Sequence, residues 1–164
     1  MTDYGLLAKQ IVSLAEVDAH WLPVLSNAAA LLWDALDDIN WAGFYLVDPA
    51  AVAGEDSSTP ELRLGPFQGK VACVRIPFGR GVCGTAAATK TSQLVEDVHQ
   101  FPGHIACDSA SNSEVVVPIF KDDQVVGVLD IDSPNVARFT QEDLAGLEQV
   151  VKALESCTNF SAFC

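Results

Sequence analysis

The sequence predicts an α+β fold: one domain over residues 1–164, with a central antiparallel sheet, N- and C-terminal helices packed on one face and a ligand pocket under loops on the other. Three observations carry this expectation. Apolar residues recur at helical spacing near the N-terminus, at Tyr4, Leu7, Ile11 and Leu14, and a second helix start signal stands at Thr140. Strand-like runs are grouped between the helices instead of alternating with them. A chain of 164 residues that is 49% apolar has enough material for one sizeable core.

Taken in order, residues 1–20 hold the first helix. A second runs from Pro23 to Asp37, with Leu25, Ala28, Ala29, Leu32 and Leu36 on one side and Pro23 suited to a first helical turn. Asn40–Val47 is short and aromatic, hence a strand. Residues 48–60, rich in Ala, Ser, Gly, Asp and Pro, read as an exposed connection. Strands follow at Glu61–Leu64 and Lys70–Ile76. Gly79–Thr89 is a glycine turn opening an alanine-rich helix, Leu94-Val95 a brief strand, and His99–Ser113 a loop. Glu114–Phe120 and Gln124–Ile131 form a hairpin about Asp122-Asp123. Thr140 with Asp143 three residues on reads as a capping box, opening a helix to Leu154. Residues 156–164 read as a tail.

The net charge of −13 argues against phosphate backbones and anionic membranes as partners. No apolar run reaches the roughly 18 residues of a membrane span, and the N-terminus lacks the basic and apolar regions of a signal peptide. The expected address is cytoplasmic. Five cysteines in such a chain read as free thiols or transient disulfides. No metal site is expected, because there is no Cys-x-x-Cys and His20, His99 and His104 lack zinc spacing.

Cys107 lies among small polar residues between His104 and Glu114, where the backbone bends and a thiolate can meet a small molecule. His104 either stabilises that thiolate or faces solvent. Cys83 falls in the first turn of a short helix, whose dipole favours a thiolate and where Arg80 adds positive charge; the bland alternative is a small packing residue. Cys73, inside Val71–Ile76, is expected to be buried in a strand, and Cys157 and Cys164 to be tail thiols without function.

Alternation places Val126, Val128, Asp130 and Asp132 on one face of a strand. Two carboxylates there either receive an ammonium group, one with a raised pKa, or simply mark the strand's exit into solvent. A regular two-residue turn pairs Glu114 with Ile131, on the wrong face to join them. Only a bulge, or a place just before the strand, brings it round. Trp41 and Tyr45 share a face and read either as core or as an aromatic wall for an S-methyl group. Carboxylates for an ammonium, an aromatic wall and a thiolate together suit an oxidised sulfur amino acid.

Trp41–Tyr45, Leu64–Gly69, Ala72–Ile76, Gly81–Ala86, His104–Asp108, Ser113–Ile119 and Gly127–Ser133 resemble the free methionine-(R)-sulfoxide reductases, enzymes built on a GAF domain. The resemblance covers residues 20 to 155, and its cysteine trio separates it from ordinary GAF modules. It implies a single GAF-like domain that reduces free L-methionine-(R)-S-oxide. It implies Cys107 as the catalytic cysteine, Cys83 as the principal resolving cysteine, and Cys73 as a third that can also pair with Cys107. Trp41, Glu114, Asp130 and Asp132 match the substrate pocket, and Tyr45 joins them. No bound cofactor is implied, since a thioredoxin-type protein supplies the reducing equivalents. A homodimer is compatible with the N-terminal apolar stripe, which can equally pack within one chain. The long 48–60 connection departs from the family pattern. Rival readings are a GAF sensor with incidental cysteines and a peroxide-sensing thiol protein.

Overall fold

The computed structural model describes residues 1–47, 59–105, 107 and 109–163. Most of the 48–60 connection, and Cys164, lie outside the described residues. The first helix, α1, spans Tyr4–Ala15, with the Asp3 carboxylate accepting from Leu6 N–H as its N-cap. Leu7, Ala8, Ile11 and Ala15 face inward. Leu14, expected on that stripe, is 42% exposed, because the buried face follows the 7-8-11-15 positions. Helix α2, Trp21–Ala35, starts two residues before Pro23. His20 Nδ1 accepts from Leu22 N–H and caps it. Pro23 sits within the first turn, where an N–H has no intrahelical partner.

Strands β1 (Trp41–Val47), β2 (Glu61–Gly69), β3 (Arg75–Pro77), β4 (Gln93–Val95), β5 (Ser113–Lys121) and β6 (Gln124–Ser133) form one sheet in the order β3-β2-β1-β6-β5-β4. Every pairing is antiparallel. Helix α3 spans Gly81–Thr89, and helix α4 spans Gln141–Cys157. The expected capping box between Thr140 and Asp143 is present.

The sheet separates two apolar clusters. Ala42, Phe44, Leu46, Val115, Val117, Ile119, Leu129 and Ile131 pack with residues of α1, α2 and α4. Leu25, Leu32, Phe44, Leu147 and Leu154 are fully buried there, each worth about 1.5–3 kcal/mol of transfer free energy. The opposite face carries Trp41, Tyr45, Val116 and Val128 against Val82, Cys83, Ala86 and Ala87 of α3. The predicted division, terminal helices on one side and a site on the other, is the observed one.

Three local expectations are corrected. The second strand runs on to Gly69, and its register against β1 shifts between Gly43 and Tyr45, accommodating Pro66, which has no N–H for the ladder. The expected strand Lys70–Ile76 shrinks to Arg75–Pro77, so Cys73 lies in irregular chain and is half-buried. The presumed tail is partly core: α4 continues to Cys157, Phe160 is 1% exposed, and Asn159 N–H donates to the Ala19 carbonyl at 2.7 Å.

Candidate active site

The hairpin of β5 and β6 puts the carboxyl groups in place. Asp122 and Asp123 both take positive φ, 50° and 62°, as a two-residue hairpin turn of the I′ kind requires. From Lys121↔Gln124 the register would lead Glu114 to Ile131. A shift between Ile119 and Phe120, which leaves Val126 without a paired residue, instead sets Glu114 opposite Asp132 and Val116 opposite Asp130. Glu114, Asp130 and Asp132 therefore share the face that bears Trp41 and Tyr45. The same bulge turns Val126 to the other side, where it packs with the helices, so the expected row of Val126, Val128, Asp130 and Asp132 loses its first member.

Across the neighbouring strand, Trp41 pairs with Asp132 and Gly43 with Asp130. Trp41 stacks on Tyr45 at 5.7 Å and on Phe67 at 5.2 Å between ring centroids. Trp41 Nε1–H donates to the Lys70 carbonyl at 3.2 Å, and the Tyr45 hydroxyl to the Cys73 carbonyl at 3.0 Å. Both rings thus tie the irregular segment after β2 to the sheet. Gly69, at φ +127°, lets the chain leave β2 over Trp41; a Cβ there would come within 2.8 Å of the indole.

Helix α3 brings Cys83 to the floor of the same pocket, 3% exposed, with its Sγ 3.8 Å from Glu114 Oε1. Gly84 permits this approach, because a Cβ at that position would lie 2.4 Å from the Pro77 carbonyl oxygen. Of the two readings of Cys83, its burial in the apolar cluster of α3 fits the small packing residue and disfavours the thiolate. Burial raises the thiol's pKa well above its ordinary value, and Asp130, Glu114 and Asp132 add to the effect, outweighing the helix dipole. Burial likewise raises Glu114 well above the usual carboxyl range, with Asp130 and Asp132 reinforcing it. Asp130, also raised by burial, is pulled back by hydrogen bonds from Glu114 and Cys83 to about 6. The consistent state is a neutral Glu114 donating to Asp130. Asp130 Oδ1 is buried with no hydrogen-bond partner among the described residues.

Cys107 forms a disulfide with Cys73, at a Cα–Cα distance of 5.5 Å and a separation of 34 residues. The resemblance implied Cys83 as the principal partner and Cys73 as the alternative; the bond joins the alternative, and Cys83 is a free, buried thiol. Among the described residues Cys157 is also free, half-buried at the end of α4, packed against the helix-side core and not among the pocket-lining residues. His104 lines the pocket with Cys107. Burial lowers its pKa and the nearby His99 lowers it further, so it is neutral near pH 7 and supplies no charge to a thiolate.

Trp41, Tyr45, Cys83, Cys107, Glu114, Asp130 and Asp132 all line one cavity of about 40 Å³, and Cys107 is the half of the Cys73–Cys107 bond that faces it. At roughly 10–15 Å³ per water, that space holds only a few waters. Sequence reasoning missed Ser111 and Ile105 as lining residues, because small polar and apolar loop residues carry no chemical signal. Arg80 is the one Lys or Arg among the described lining residues.

A GAF domain family model matches residues 23–156. The chain is 54% identical over 152 residues to the free methionine-R-sulfoxide reductase of Escherichia coli K12, covering 93% of this chain and 86% of that protein. The chain belongs to the GAF-domain free methionine-R-sulfoxide reductases. Solved structures of this family superpose closely. The reduced fRMsr of Staphylococcus aureus is 53% identical with a TM-score of 0.86, covering 97% of each chain. The Neisseria meningitidis enzyme in complex with its substrate is 44% identical with a TM-score of 0.86, covering 98% of this chain and 89% of that one. Membership in this family, together with a disulfide whose Cys107 lines the pocket, disfavours a sensor with incidental cysteines.

Proposed function

We propose that this protein reduces free L-methionine-(R)-S-oxide to L-methionine by thiol chemistry. The observation that carries the reading is the Cys73–Cys107 disulfide in the wall of a pocket that also holds an indole face and three carboxyl groups. The close relatives named for this reaction support it. Asp130 and Asp132 answer the substrate's ammonium group, and the unpartnered Asp130 Oδ1 is its natural acceptor. Trp41 faces the S-methyl group. Arg80, at the mouth, answers the carboxylate of a free amino acid, which a methionine inside a polypeptide does not have.

In the first step the Cys107 thiolate attacks the sulfoxide sulfur. Glu114, neutral in its buried place, gives its proton to the departing oxygen. The protonated oxygen passes to the Cys107 sulfur as the bond between the two sulfur atoms breaks, so methionine leaves and Cys107 becomes a sulfenic acid. The Cys73 thiol then displaces the hydroxyl as water, forming the disulfide. A thioredoxin-type dithiol restores both cysteines by exchange and is itself oxidised to a disulfide. Tyr45 holds the Cys73 backbone within reach throughout, and Cys83 stays a thiol. No metal or tightly bound cofactor enters this sequence of steps.

The decisive assay couples thioredoxin to both epimers of free methionine sulfoxide, with Cys107→Ser, Cys73→Ser and Cys83→Ser beside the native chain. Turnover of the R epimer is expected, and a methionine sulfoxide with blocked amino and carboxyl groups should fail as substrate. Activity on neither free epimer overturns the reading.

A further inference from the structure

Cys83 takes no part in the chemistry above, yet it is a buried nucleophile facing two buried carboxyl groups. Its Sγ and one oxygen each of Glu114 and Asp130 lie within 4.8 Å of one another. Among the described residues this is the one cluster of His, Cys, Asp or Glu side chains with such convergence. The three come from α3, β5 and β6, far apart in sequence, which is why spacing gave no hint of a metal site.

The distances suit a tetrahedral ion. Zinc–sulfur and zinc–oxygen bonds of about 2.3 and 2.0 Å at a tetrahedral angle put the two donors about 3.5 Å apart. Cys83 Sγ and Glu114 Oε1 stand at 3.8 Å. A second, independent observation is Asp130 Oδ1, which is buried without a partner in a residue only 5% exposed that lines the cavity. The donor set of one thiol sulfur and two carboxylate oxygens selects a borderline-soft divalent cation over magnesium or calcium, which take all-oxygen shells. The cavity leaves a fourth position for water.

We infer that Cys83, Glu114 and Asp130 form a binding site for a thiophilic divalent cation of the Zn²⁺ type. On binding, the Cys83 and Glu114 protons go to solvent and three protein bonds to the ion form. The ion masks the Cys83 thiol and fills the acidic end of the pocket, so it opposes substrate entry and serves no step of catalysis. The binding itself does not depend on the reductase reading.

Cobalt(II) is the probe, added to protein with the Cys73–Cys107 disulfide closed and Cys157 and Cys164 replaced by serine, so that Cys83 is the remaining thiol. One equivalent should produce sulfur-to-cobalt charge-transfer absorption with the strong visible bands of tetrahedral cobalt, and Zn²⁺ should abolish both by displacement. Cys83→Ser should abolish the charge-transfer band. Asp130→Asn should weaken binding by roughly tenfold or more, since even loss of an outer-shell partner costs that much. Absence of the band in the Cys83-containing protein overturns the proposal without any need for a variant at the site. So does a band that survives Cys83→Ser, or an unchanged affinity in folded Asp130→Asn.

Discussion

Cys83 and Cys73 differ in what surrounds their sulfur atoms. Cys83 is sealed against carboxyl groups that disfavour its anion, whereas Cys73 sits half-buried in irregular chain held by Tyr45. Cys107→Ser should abolish even a single turnover, measured as methionine released per enzyme without reductant. Cys73→Ser should release one methionine and then stall, with the sulfenic acid trapped by dimedone. Cys83→Ser should keep multiple turnover, and non-reducing peptide mapping of the native enzyme after one turnover should find the 73–107 pair. A 83–107 pair as the sole product would reverse these roles. Asp130 also makes a stability prediction. Its folded pKa of about 6 lies above the ordinary 3.8, so the folded state holds the proton more tightly. Stability from this group is greatest below pH 4 and declines as pH rises to about 6. Asp130→Asn should therefore raise the melting temperature at pH 8 by on the order of 2–5 °C, a gain that fades toward pH 4, while weakening substrate use. An equal effect at both pH values would refute the titration argument.

At the scale of elements, α3 and the β5–β6 hairpin set the site by close approach and register. Gly84→Ala forces α3 away from Pro77 and should cost about 1–3 kcal/mol in denaturant unfolding, with activity falling as well. Thr140→Ala removes the α4 capping box, far from the pocket. It should cost about 1 kcal/mol and leave kcat/KM unchanged. Much at this scale was legible in the sequence. The helix periodicities, the aromatic strand and the capping box each depend on neighbours within a few residues. The bulge that brings Glu114 round was legible only as a condition, because its placement depends on which hairpin face the core claims. The true length of β2, the shrinkage of the Lys70–Ile76 strand and the docking of Phe160 were not legible. Each is decided by contacts with residues distant in the chain.

For the whole molecule, the disulfide couples redox state to stability. Closing a loop of 34 residues restricts the unfolded chain by at most about 4 kcal/mol. The oxidised protein should therefore unfold at higher urea than the dithiol form, by no more than that bound. Equal midpoints for the two forms would show that the bond lends the fold nothing. No helix among the described residues is long and apolar enough to cross a membrane, as the sequence led us to expect.

The sequence by itself determined the α+β architecture, the shared face of Trp41 and Tyr45 and the acidic pair on β6, and the family resemblance it carries proposed Cys107 as the attacking cysteine. These follow from periodicity, which is local, and from motifs, which are contiguous. Only the tertiary structure decided which cysteine pairs with Cys107, that Cys83 is a free thiol buried beside carboxyl groups, and that Glu114 meets Asp130 and Asp132. Those outcomes depend on burial and on distances between separate elements. A carboxyl or a thiol has its ordinary pKa in the written chain, and only the surroundings the fold provides can move it.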